Sequence, residues 1–186
     1  MELKQAIFGR RSVRSYSNQP VPREVVAELI DAAIQAPSGM NRQPWAFGVI
    51  TDPAALADLD AKAKAHLLSV LTEDSPMAGY RTRLEQPDFH LFYGAPALVV
   101  IYTKPTGVTA NVDACLAAQN LLLAAYERGL GTCWIGFAMF YLGTPAAAAE
   151  LNIPDGYSAA AAIIVGYPAT DVPPVPRETP EILFDR

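Results

Sequence analysis

Arg10-Arg11-Ser12-Val13-Arg14 places three of the chain's 14 lysines and arginines within five positions, in a protein whose formal charge is -5. Guanidinium groups bind phosphate through forked, charge-assisted hydrogen bonds, and a serine hydroxyl can satisfy a further oxygen. Taken alone, the pentapeptide is more commonly a solvated basic turn. A second segment, Ala36-Pro37-Ser38-Gly39-Met40-Asn41-Arg42-Gln43-Pro44-Trp45, is rich in small and amide-bearing residues. Ser38 and Asn41 can donate and accept hydrogen bonds, and Gly39 allows a close backbone approach. Pro37 and Gly39 are also ordinary helix-stop residues, which leaves the rest of the segment unexplained. A third segment, Gly129-Leu130-Gly131-Thr132-Cys133-Trp134-Ile135-Gly136, reads as a tight helix exit with exposed amides. It is not a dinucleotide fingerprint, because no strand, GxGxxG turn and helix follow in that order, and no Walker loop occurs.

Other chemistries find little support. His66 and His90 are too few and too isolated for a zinc site, and Cys115 and Cys133 lack paired spacing, so both read as buried, reduced thiols and no metal is expected. No serine or cysteine triad and no paired-carboxylate site stands out, which is compatible with an enzyme whose chemistry resides in a cofactor. The negative charge gives no general attraction to nucleic acid or an anionic membrane. The longest mostly apolar stretches, Leu91–Ile101 and Ala114–Tyr126, fall short of the ~20 residues that cross a bilayer. The N-terminus lacks a secretory pattern, so a cytoplasmic location is expected.

The elements that must position these segments follow from periodicity. Val25, Val26, Leu29, Ile30, Ala33 and Ile34 predict an amphipathic helix from about Pro22 to Gln35. Trp45–Ile50 predicts a strand ended by Thr51-Asp52-Pro53, and Pro53 to about Leu71 a helix. Thr72 to Phe92 has no steady period. Ala97–Tyr102 and Ser158–Val165 predict buried strands. Asn111–Arg128 predicts a helix that is apolar almost all round, which requires either the middle of the core or a subunit interface; the interface is the expectation. After Gly166, Pro168, Pro173, Pro174 and Pro176 predict an extended tail, either a loose end or an arm over a partner. With 51% hydrophobic residues, the 186-residue chain reads as one domain, 1–186, with a tail from about 167 to 186.

The three segments in this order resemble the nitroreductase family of flavin mononucleotide (FMN) enzymes. The first two, about thirty residues apart with an amphipathic helix between them, are together specific. The resemblance implies an α+β fold, with a mainly antiparallel central sheet flanked by helices, and an intertwined homodimer holding two FMN molecules at its interface. By position, Arg10, Ser12 and Arg14 would hold the phosphate and the near flavin edge, with Arg11 beside them. Pro37, Ser38, Gly39 and Asn41 would reach the flavin of the other subunit, amides at Ile135 and Gly136 would face flavin N5, and Arg177 would add a second grip on the phosphate. Val175 stands where some relatives place another basic residue, and Ile135 where many place an acidic one. The polar residues that meet the flavin pyrimidine in some relatives have no match between His66 and His90. The implied activity is hydride transfer from NADH or NADPH to a small electron-poor acceptor such as a nitroaromatic or quinone. The alternatives are a specialised flavin enzyme on the same fold (a reductive dehalogenase, a flavin-fragmenting enzyme or a biosynthetic dehydrogenase), a flavin-binding module without turnover, and a phosphate binder without flavin.

Overall fold

The computed structural model describes residues 1–104 and 107–186. In chain order the helices are α1 (Leu3–Gly9), α2 (Arg23–Ala33), α3 (Pro53–Val70), α4 (Arg81–Leu84), α5 (Ala110–Glu127), α6 (Met139–Leu142) and α7 (Pro145–Glu150). The strands are β1 (Trp45–Ile50), β2 (Ala97–Thr103), β3 (Gly131–Trp134) and β4 (Ser158–Gly166), joined entirely antiparallel in the order β1-β2-β4-β3. This is the α+β architecture that the family resemblance implied.

Strand alternation decides the layering. Because successive side chains point to opposite faces, Ala97, Val99 and Ile101 of β2 join Ala161, Ile163 and Val165 of β4 under α2 and α5. Leu98, Val100 and Tyr102 join Ala162 and Ile164 on the other face, against α3 and α6. All seven residues of β2 are buried, which explains its unbroken apolar run.

Helix starts have local causes. Asp52 accepts a hydrogen bond from the Ala55 amide at 2.8 Å, and Pro53 occupies the first turn of α3, where a missing donor costs nothing. Thr144 and Pro145 repeat the arrangement at α7, with Thr144 Oγ1 accepting from Ala147 at 3.2 Å.

The first half of the long helix is covered on one side only. Asp113, Ala114, Ala117, Ala118, Leu121 and Ala125 of α5 are buried, whereas Val112, Cys115 and Leu116 lie exposed on the opposite side. Cys115 therefore departs from the buried thiol expected; it falls on the outer stripe because α5 meets the sheet with its other face. Cys133 is buried as expected. A second correction concerns the third segment, where Gly131–Trp134 is an edge strand rather than only a helix exit. The chain does leave α5 through Gly129 in the left-handed region (φ +72°), but it extends at once. Four residues are too few to show strand alternation, and two glycines hide what there is.

The region without a period, 72 to 92, holds only turns, a short 3-10 turn at Ala78–Tyr80 and α4. Beyond Gly166 there is no helix or strand apart from one bridge, Tyr16 to Pro168. Among the described residues, no helix is long and apolar enough to cross a membrane.

Candidate active site

The arginine segment is pinned to the edge of the sheet. Arg10 caps α1, its amide donating to the Ala6 carbonyl at 3.0 Å. Ser12 forms a parallel bridge with Thr132, and the Val13 amide donates to the Thr132 carbonyl at 2.9 Å. A Cβ on Gly131 would stand 2.7 Å from Val13 Cγ2, so glycine is what lets the two strands approach. The Tyr16 hydroxyl donates to the Val13 carbonyl at 2.7 Å, and burial pushes that phenol's pKa up.

This arrangement concentrates positive charge. Burial, then the like charges of Arg177 and Arg11, hold the Arg10 pKa below its ordinary value. The tail thus brings Arg177 to Arg10, joining residues 167 positions apart. Ser12 and Arg14 both reach the Cys133 sulfur, and the two contacts, with the nearby charge of Arg10, oppose the burial that raises its pKa. Arg11 donates from Nη1 to the carbonyls of Phe8 and Arg10, each at 2.8 Å, while its buried Nε has no acceptor. Among the described residues, no carboxylate forms an ion pair with Arg10, Arg11, Arg14 or Arg177. Buried donors and charges are normally satisfied. A cation cluster with an orphan donor and no carboxylate suits an anionic ligand.

Beside the cluster opens a cleft of about 400 Å³, within the range of small-molecule sites. It is lined by Arg14, Cys133 and the Trp134–Phe137 segment together with Tyr80, Arg83, Leu91 and Tyr93. A Cβ on Gly136 would meet nothing within 4 Å, so its backbone borders open space. The Ile135 amide donates to the Ala162 carbonyl at 2.8 Å and is committed to the protein, whereas no such backbone bond engages the Gly136 amide among the described residues. Of the two amides singled out in the sequence, the geometry leaves Gly136 free. A separate cavity of about 330 Å³ lies behind the segment from His90 to Pro96, lined by Asp60, His90 and Phe92 but by no arginine.

The second segment lies elsewhere. Gly39 packs on Thr109, and its amide donates to the Asp113 carboxylate at 3.2 and 3.3 Å, at the start of α5. Met40, Asn41 and Gln43 all adopt positive φ (54°, 54° and 46°), a costly backbone for residues other than glycine. Among the bonds that hold it are Thr109 Oγ1 to Asp113 (3.3 Å), the Gln43 amide to Ser38 Oγ (3.0 Å), and Gln43 Nε2 to Asn41 Oδ1 (3.0 Å). Asp113 was not foreseen in the sequence as a support for this loop. Its signal was a carboxylate in the first turn of a helix otherwise apolar on its inner face.

The arginine cluster and the loop are therefore at opposite ends of α5. At 1.5 Å per residue its 18 residues span about 27 Å. A single chain brings Arg10, Arg11, Ser12, Arg14, Ile135, Gly136 and Arg177 to one region and leaves Pro37, Ser38, Gly39 and Asn41 at another. The cleft residues Tyr80 and Arg83 were missed because they come from the stretch without periodicity, where only the interleaving of aromatic and basic residues hinted at a site, and Tyr93 follows directly after it.

A helix-flanked antiparallel sheet with a cationic edge and an adjoining cleft defines a class of small-molecule-binding α+β proteins, and comparison with known proteins narrows it. Residues 7–167 match the Nitroreductase family, and the chain belongs to it. A 4-nitrobenzoate reductase from Nocardioides sp. (strain LMS-CY) is 29% identical over 214 residues, covering 97% of this chain and 86% of that protein. Among solved structures, a nitroreductase with bound FMN from Desulfitobacterium hafniense DCB-2 superposes with a TM-score of 0.85 at 28% identity over 100% of both chains. A BluB-like flavoprotein from Clostridium difficile 630 gives 0.76 at 30% identity, covering 97% of this chain and 95% of that one.

Proposed function

We propose that this chain is an FMN-dependent oxidoreductase, taking hydride from NADH or NADPH and passing it to an electron-poor acceptor such as a nitroaromatic or quinone. The observation that carries this is the arginine cluster, which has a buried donor without an acceptor and no carboxylate partner, in a family with FMN-bound members. Bound FMN supplies the centre that accepts and returns hydride.

The protein's own part is to bind, orient and exclude water. Arg10, Arg11, Ser12, Arg14 and Arg177 would hold the phosphate. The Gly136 amide would donate to the flavin edge in the cleft, with Ile135 as its structural neighbour, anchored through its own amide to Ala162. Pro37, Ser38, Gly39 and Asn41 would come from the partner subunit of a homodimer. Two observations support the dimer: the loop stands a helix length from the arginines, and Val112, Cys115 and Leu116 form an uncovered apolar stripe on α5. The remaining readings are of one domain with an extended C-terminal tail, and a cytoplasmic location.

The absorption spectrum of the purified protein tests the cofactor, and anaerobic mixing with NADH or NADPH tests the reaction. Flavin colour bleached by either nicotinamide is expected. A colourless protein, or colour that persists, would overturn the proposal. The likeness to a BluB-like flavoprotein supports a second reading, a specialised flavin enzyme on this fold. Turnover across a panel of nitro, quinone and halogenated acceptors separates the two.

A further inference from the structure

We propose that Arg83 selects acceptors carrying a carboxylate on an aromatic ring, making this cleft a site for aromatic acids. The inference rests on the proposed function, with the flavin edge in this cleft and the acceptor stacked on it. It starts from the outer wall, built by the turn at Ala78–Tyr80, by α4 and by the loop around Phe89 to Tyr93.

That wall is aromatic. Tyr80 meets Phe137 edge to face with ring centroids 5.2 Å apart, and Phe89 meets Tyr93 at 5.7 Å with their planes perpendicular. Such pairs are favoured by the ring quadrupoles and fix their partners' orientation. The Arg83 guanidinium lies 4.8 Å from the centre of the Phe89 ring, a cation–π contact that holds its plane without consuming its donors. No hydrogen bond or ion pair engages the Arg83 side chain among the described residues. Its neighbour Arg81 takes the nearby carboxylate, pairing with Glu85 at 3.4 Å, and also donates to the Leu71 carbonyl.

Arg83 is thus an exposed guanidinium resting on an aromatic ring, in the lining of a cleft that no carboxylate lines. Among the described residues, the only other cation in that lining is Arg14, which the proposed phosphate site would claim. A planar acceptor would find Tyr80, Tyr93 and Phe137 for its ring. Its carboxylate would find a forked donor, the geometry for which arginine is better suited than lysine. A phosphate of the nicotinamide donor offers related anionic chemistry, so the test separates the two sources.

The FMN-loaded protein and its Arg83→Gln variant are compared in two ways. Calorimetric titration with benzoate and with the neutral benzamide reads binding without turnover. Steady-state reduction of 4-nitrobenzoate and 4-nitrobenzamide reads the reaction, with the nicotinamide and FMN affinities measured alongside. The wild type is expected to prefer each acid over its amide. Arg83→Gln should reduce that preference about tenfold, equivalent to ~1.4 kcal/mol, mainly through KM. Arg83→Lys should restore part of it, and FMN retention and the nicotinamide KM should change by less than about twofold. Equal losses for acid and amide, a weakened grip on FMN, a raised nicotinamide KM, or no preference in the wild type would each overturn the assignment. Arg83-dependent benzoate binding without any turnover would uphold the site and sink the hydride-transfer reading. Turnover without a preference would do the reverse.

Discussion

The two ends of α5 present opposite kinds of binding surface. At its C-terminal end, charge is stored in side chains: Arg10, Arg11, Arg14 and Arg177 crowd together without a carboxylate, and Arg10 is held below its ordinary pKa by burial and by its neighbours. At its N-terminal end, conformation is stored in the backbone: Met40, Asn41 and Gln43 sit at positive φ, held by Asp113 and Ser38. The first end is short of a ligand, whereas the second is already satisfied from within. Like charges brought together need a counter-ion, but a strained loop needs only internal bonds. The difference assigns binding energy to the arginine end and shape to the loop end.

The largest expected effect comes from the charged end. Arg14→Ala should weaken FMN binding by ~1.5–3 kcal/mol, the worth of a charge-assisted hydrogen bond, as read by fluorescence titration. Unchanged affinity would remove Arg14 from the phosphate grip. For Arg10→Ala, the melting temperature without FMN should stay level or rise, because a cation is relieved of its like-charged neighbours, while the increase produced by added FMN should shrink.

The loop end should respond in the opposite sense. Asp113→Ala leaves the Gly39 amide without its acceptor, costing ~1–3 kcal/mol and several degrees of melting temperature even without ligand. A variant as stable as the wild type would show that the loop holds its shape without α5.

If both ends serve one site across a dimer, lesions at either end should complement. Mixing Arg14→Ala with Asp113→Ala subunits should place both lesions in one site of each mixed dimer and leave the other intact. Random exchange would then restore about a quarter of the sites. No recovery of FMN binding after subunit exchange would confine each site to a single chain.

The smallest effect concerns the thiols. Burial raises the Cys133 pKa, so the folded state favours the protonated form. That contribution is complete below the unfolded value of about 8.5 and is lost as pH rises through the folded value. The denaturant midpoint should therefore fall slightly between pH 8 and 9.5, and Cys133→Ala should flatten the slope. Cys115, on the outer stripe of α5, should be alkylated readily by a monomer but slowly by a dimer that covers it.

Legibility in the sequence followed burial and length. The strands Ala97–Thr103 and Ser158–Gly166 and the helices α2, α3 and α5 were readable within a few residues, because long periodic or wholly apolar runs have few alternative placements. β3 was not, being four residues with glycine at its start, and neither was α4 with its aromatic surroundings. Arg83, Tyr80 and Tyr93 form a surface only after folding, so no spacing along the chain announces them. The arginine and amide segments were visible because both are compositionally unusual and continuous in sequence.

The sequence by itself determined the two segments with binding chemistry, since each is written in contiguous residue types, and through their resemblance to a family it implied the α+β layering. Only the tertiary structure decided that Arg177 joins Arg10 across 167 positions, that Ile135 spends its amide on Ala162 while Gly136 keeps its own, and that the two segments are separated by the length of α5. Those outcomes depend on which groups the packed sheet and helices satisfy first, and a linear pattern carries no record of that competition.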